Sequence, residues 1–194
     1  MKELNNETII VTSKKLTRDI RRLIRNAQKQ HDENIKEWKT SPFYKLKAGL
    51  PIKVIGETIG EGIFKLMLNQ LKIKYKKNPN NDLIIYEGNK EESTEIKFST
   101  RGKKNKNGNF CILYNQCRLE ENVDTFHFMN VFPENYIDIW KISKQEFEKY
   151  LESHPKEKII PKSSKIKNEK FIQFKNFNDT WDSSVFHHKY RIIL

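Results

Sequence analysis

The sequence predicts an α/β (α+β) chain with a central mixed β-sheet of about five strands flanked by helices. Three observations carry this. Apolar residues recur at spacings of three and four over residues 17–38 and again over 53–71, the period of amphipathic helices. From residue 82 onward, short apolar or alternating runs at 82–86, 94–98, 110–114, 124–132 and 136–142 are separated by Gly, Asn and Pro, as strands are. Ser143-Lys144-Gln145-Glu146 is then a capping box, which opens a further helix.

The N-terminal helix, within 14–40, carries Leu16, Ile20, Leu23, Ala27, His31, Ile35 and Trp38 on one side. Arg18, Arg21, Arg22, Arg25 and Lys29 fill much of the rest. That basic side is a solvated face or a helix laid along phosphates. Pro42 and Pro51 bracket a connection, since the residue before a proline avoids helix. In the second helix Ile55, Ile59, Ile63, Leu66, Met67 and Leu71 trace one face, which Phe64 and Leu68 broaden. Glu57 and Glu61 lie four apart on the side of Phe64 and Leu68. A carboxylate on an apolar face is costly unless something pairs with it. A metal or Lys97 would serve, whereas Glu57 also suits the positive end of a helix dipole.

Lys72, Lys74, Lys76 and Lys77 follow around Tyr75. Next comes a hairpin: Leu83-Ile84-Ile85-Tyr86 and Thr94-Glu95-Ile96-Lys97-Phe98 flank Gly88-Asn89, a recognised two-residue turn. If Gly88 and Asn89 are the turn, Asp82 lies opposite Glu95. Side chains alternate along a strand, so Asp82, Glu95 and Lys97 gather on one face and Leu83, Ile85, Ile96 and Phe98 on the other. Two carboxylates so close repel unless a cation sits between them. Oxygen donors without thiolate select Mg²⁺, with Mn²⁺ able to substitute. A lysine beside them can orient or deprotonate a water, or balance charge at a phosphate. These are the parts of metal-assisted phosphodiester hydrolysis. A charge pair on a solvated hairpin is the plainer alternative.

Residues 99–109 form a polar, glycine-punctuated, basic loop leaving the Glu95 strand. Arg101, Lys103, Lys104 and Lys106 suit phosphates, and Asn105 and Asn107 suit adenine edges. The strands at 110–114, 124–132 and 136–142 follow, and His127 reads as a structural strand histidine. After the capped helix, residues 154–170 form an exposed basic connector. Residues 171–177 regain alternation, and 185–194 end the chain as a strand.

Pro79, Asp82, Glu95 and Lys97 resemble the signature of the PD-(D/E)xK nuclease superfamily, with the usual proline-aspartate dipeptide split by Asn80 and Asn81. The order of elements, a helix, a hairpin bearing Asp and Glu-x-Lys, further strands and a helix, matches what the resemblance implies for a restriction-endonuclease-like core. That core covers about 53–152 of a single nuclease domain, with 14–40 and 153–194 as recognition or dimerisation additions. The resemblance further implies that Asp82 and Glu95 hold Mg²⁺ with the Ile96 carbonyl. It implies that Glu61, or failing that Glu57, joins the metal cluster, and that Gln116 contacts DNA. Cleavage would leave a 5′-phosphate and a 3′-hydroxyl. Within the superfamily the chain looks most like a small type II restriction endonuclease, acting as a homodimer on double-stranded DNA, with residues 1–45 a candidate interface. A structure-selective nuclease (a Holliday junction resolvase or repair enzyme) and a non-catalytic nucleic-acid-binding protein are the alternatives.

Composition bears on these classes. Net charge is +12 and the pI about 9.5, which points to a polyanion, most often nucleic acid. Hydrophobic residues are 36%, but aromatics at 11% supply bulk for a core. No apolar run approaches the ~20 residues that span a membrane. The N-terminus is polar from Met1, against a signal peptide. Cys111 and Cys117 lack a histidine partner for zinc and read as reduced thiols of a cytoplasmic protein, and the resemblance to restriction enzymes implies a prokaryotic one. There is no phosphate-binding Gly-rich loop ending in Lys-Ser/Thr, hence no nucleotide cofactor is expected.

Overall fold

A computed structural model describes residues 14–49, 58–102, 108, 110–119, 122–156, 158–159, 171–177 and 181–193. The chain divides into two units, Met1–Glu37 and Trp38–Leu194. Among its described residues the first unit holds helix α1 (Lys14–Ile35). Arg18, Arg21, Arg22, Arg25 and Lys29 are exposed along it, as the sequence suggests. Its apolar residues do not all find cover: Ile20, Leu23 and Ile24 are exposed, whereas Ile35 is buried. A single 3-10 turn, Lys36–Trp38, ends the predicted helix.

In the second unit the strands are β1 (Lys74–Lys77), β2 (Leu83–Glu87), β3 (Lys90–Thr100), β4 (Cys111–Arg118), β5 (Thr125–Phe132), β6 (Tyr136–Ser143), β7 (Lys158–Ile159), β8 (Phe171–Phe177) and β9 (His187–Ile193). Helices α2 (Tyr44–Ala48), α3 (Glu61–Gln70) and α4 (Lys144–Ser153) complete it. Six strands build a mixed sheet in the order β1-β2-β3-β5-β6-β9. β3 and β5 run parallel and every other neighbouring pair is antiparallel. A parallel pair cannot be closed by a tight turn, so the chain must cross over between β3 and β5. β4 lies in that crossover.

This corrects the expected strand set. The 110–114 run is not in the central sheet; as part of β4 it pairs with β8, and β8 with β7, in a second, three-stranded sheet. β1, read from sequence only as a lysine cluster, is an edge strand, and β9 forms the other edge.

Each face of the central sheet buries its own core. On one face Phe64, Met67 and Leu68 of α3 meet Leu83, Ile85, Ile96, Met129, Val131, Ile137 and Ile139, with Trp38 and Phe43. On the other Phe126, Phe128, Phe132 and Ile142 meet Phe147, Tyr150 and Leu151 of α4, with Ile112, Tyr114, Cys117 and Phe174 from the second sheet. β5 is buried along its whole length because it sits between these layers. α4 starts as predicted: Ser143 Oγ accepts from the Glu146 N–H at 3.2 Å, and the Glu146 carboxylate accepts from the Ser143 N–H at 3.2 Å. Cys111 and Cys117 are not joined in a disulfide. Among the described residues no helix is long and apolar enough to cross a membrane.

Candidate active site

The β2–β3 hairpin has the register the turn chemistry dictates. Leu83 pairs with Thr94, Ile84 with Ser93, Ile85 with Glu92, Tyr86 with Glu91 and Glu87 with Lys90. Gly88, with φ +63°, supplies the left-handed turn position. Continued by one residue, this register sets Asp82 opposite Glu95. Asp82 is fixed there: its Oδ2 accepts the Ile96 N–H at 2.6 Å. Lys97 Nζ donates to Glu95 Oε1 at 2.6 Å, with both side chains nearly buried.

The electrostatics of the trio are unbalanced. Burial drives the Asp82 carboxyl up to about 7, the Glu95 charge adds to this, and the Ile96 N–H opposes it; Glu61 repels it further and Lys97 helps it. Lys97 shows the opposite outcome. Burial pulls its ammonium down, but Glu95 outweighs that, with Cys117 and Asp82 adding, and the net shift is upward. Lys97 therefore stays protonated. In this state it can orient a water or balance charge, two of the roles expected for it.

Glu61 stands in the first turn of α3, near enough to Asp82 to raise it. Its Oε2 is held by Lys65 Nζ at 2.7 Å. Gly60 explains how this helix start reaches β3: a Cβ there would sit 2.7 Å from Phe98 Cβ. Glu57 lies outside the described residues.

Among the described residues no group of three or more His, Cys, Asp or Glu side chains is placed to hold a metal ion. The donors present still fit a hard divalent cation. Magnesium is commonly held by one or two carboxylates, keeping water and substrate oxygens for the remaining positions. Asp82 and Glu95 are such a pair, and the carboxyl held near 7 marks a repulsion a cation would relieve.

The DNA-contact residues expected from sequence divide. Lys103, Lys104, Asn105, Lys106 and Asn107 lie outside the described residues. Gln116 is exposed, in a left-handed conformation with φ +55°. Arg101 needs correction. Its side chain is 6% exposed, Nη1 donates to Glu134 Oε1 at 2.7 Å, and the guanidinium stacks 3.9 Å from the Phe110 ring. It braces the end of β3 and does not face solvent.

Sequence reasoning missed one neighbour of the trio, Cys117, and one tie at the far end of its strand, Lys47. Cys117, buried on β4, lies close enough to Lys97 to act on its ammonium. Lys47 of α2 donates to the Arg101 carbonyl at 2.9 Å and Thr100 Oγ1 at 3.3 Å, tying α2 to the end of β3. His127 is structural, as expected. It is buried against Phe64, its Nδ1 lies 2.7 Å from Thr94 Oγ1, and burial lowers its pKa to about 3, so it stays neutral. A cleft of about 530 Å³ opens beside Glu92, Lys141 and the start of α4, and it contains none of Asp82, Glu95 or Lys97.

Compared with protein-family models, with curated proteins and with solved structures, the chain matches none.

Proposed function

We propose that this protein is a Mg²⁺-dependent, sequence-specific endonuclease for double-stranded DNA, of the type II restriction kind within the PD-(D/E)xK superfamily. The observation that supports it is the hairpin register, which brings Asp82, Glu95 and Lys97 to one face of β2–β3 with Asp82 anchored on the Ile96 N–H. The net charge of +12 supports a polyanionic substrate.

Asp82 and Glu95 would hold Mg²⁺ (or Mn²⁺), with the Ile96 carbonyl as a third oxygen and Glu61 close behind. When bound, the ion supplies charge neutralisation at the phosphate and acidifies a coordinated water. The chain's own contribution is placement. The hydrogen bond from Ile96 fixes the Asp82 carboxylate. Lys97, held protonated against Glu95, sets a positive charge where the phosphorus gains negative charge. Water oxygen adds to phosphorus, the bond to the 3′ oxygen breaks, and that oxygen takes up a proton, leaving a 5′-phosphate and a 3′-hydroxyl. Cutting both strands calls for two such centres, hence a homodimer, in a cytoplasmic, prokaryotic setting and without a nucleotide cofactor.

The test is incubation of a sequenced plasmid and of a four-way junction, with and without Mg²⁺. Discrete bands from the plasmid bear the proposal out. Cutting confined to the junction would make it a structure-selective nuclease, and binding without cutting would remove catalysis altogether.

A further inference from the structure

We infer that edge strand β1 carries the track for one DNA backbone leading into the candidate active site, through Lys74 and Lys76; this rests on the endonuclease reading. The register shows which lysines face the site. Lys74 pairs with Tyr86, which pairs with Glu91; Lys76 pairs with Ile84, which pairs with Ser93. Two residues beyond Ser93 on the same face is Glu95, and two before Ile84 is Asp82. Directly opposed residues share a face and alternation is strict. Lys74 and Lys76 therefore lie on the face that carries Asp82, Glu95 and Lys97. The alternate residues of β1 point the other way: Tyr75 packs against the α3 core, and Lys77 pairs with the buried Leu83.

Distance and exposure suit a phosphate track. Two strand spacings of ~4.8 Å and two residues of ~3.4 Å put Lys76 about 12 Å from Glu95, a few nucleotides along one strand. Lys74 and Lys76 are both exposed. Lys76 has two partners on this face, both at its exposed end: its Nζ lies 3.4 Å from both oxygens of Glu91 and 5.4 Å from the centre of the Tyr86 ring. An exposed pair of that length is readily exchanged for a phosphate. Neither core covers this corner: Ile84 and Tyr86 stay half-buried between the lysines and the site. An edge strand bearing lysine also resists pairing with another sheet, so Lys77 serves that purpose without facing the site.

The experiment measures affinity for a short labelled duplex by fluorescence anisotropy in EDTA across a salt series, for wild type, Lys74→Ala/Lys76→Ala and Lys77→Ala. Each lost phosphate contact lowers the slope of log K against log salt by about 0.9. The double variant is expected to lose about 2 from the slope and Lys77→Ala close to nothing, with melting temperatures unchanged. A double variant that keeps the wild-type slope overturns the inference, and so does an equal loss in Lys77→Ala. Failure of the endonuclease reading looks different: plasmid stays intact in Mg²⁺ while the slope difference persists, which supports the track as a binding surface and refutes cleavage.

Discussion

Replacing Asp82 with Asn tests whether the carboxylates converge as described, before any substrate is involved. In metal-free buffer the native Asp82 carboxyl is raised from 3.8 to about 7 by burial and by Glu95. A group raised in the native state contributes stability that is full below its unfolded value and is lost as pH rises through its native value. Between pH 4 and pH 7, therefore, Asp82 makes the wild type progressively less stable. At 1.36 kcal/mol per unit, a rise of about 3 units sets a ceiling near 4 kcal/mol. Asp82 keeps some contact with water, so about half of that is the expected loss. Asn cannot ionise, and its amide oxygen can still accept the Ile96 N–H. The Asn variant should thus gain on the wild type from pH 4 to pH 8 by about 2 kcal/mol, roughly 4–8 °C in melting temperature for a chain of this size. Calorimetric scans of both proteins in EDTA across that range measure it. Parallel pH profiles would show that Asp82 is not buried beside a second carboxylate, and the site would dissolve.

Three further outcomes follow from the same geometry. Since a proton competes with the ion at Asp82, Mg²⁺ affinity measured by titration calorimetry should rise about tenfold from pH 6 to pH 8; a value independent of pH contradicts this. Lys97→Ala should cut turnover by at least about a hundredfold while leaving duplex affinity in EDTA within about twofold; cleavage near the wild-type rate would remove Lys97 from the mechanism. Gly60→Ala places a methyl against Phe98 and should cost ~1–3 kcal/mol in thermal melts; an unchanged melting temperature would mean that α3 does not approach β3 so closely.

The hairpin was legible because all its determinants are local. Gly88-Asn89 fixes the turn, the turn fixes the register, and the register fixes the faces, so Asp82 and Glu95 meet without help from distant residues. The capping box at Ser143 is equally local. β1 was missed because three of its four residues are lysine, the signature of a protected edge, and such a strand shows no alternation of apolar and polar residues. Arg101 was misplaced for the opposite reason: in a basic, glycine-rich segment its charge reads as solvated, while its ion pair with Glu134 and its stacking on Phe110 are tertiary and leave no local trace.

β4 shows where periodicity stops informing. Its alternation holds through Ile112 and Tyr114, both buried, then slips: the register shifts between Tyr114 and Cys117, with Gln116 at φ +55°. One extra residue reverses the faces that follow, so Cys117 turns inward where strict alternation would bury Gln116 and expose Cys117. That bulge brings a thiol near Lys97 and leaves Gln116 exposed. Ser99, two residues past Lys97 on the same face, donates to the Leu113 carbonyl at 2.8 Å, so β4 lies over the strand that carries Glu95 and Lys97. The seclusion of Lys97 and Glu95 thus depends on a strand outside the central sheet. The carboxylates and the ammonium are placed by the hairpin, but their burial, and with it the displacement of the Asp82 proton toward neutrality, depends on long-range packing that no local pattern encodes.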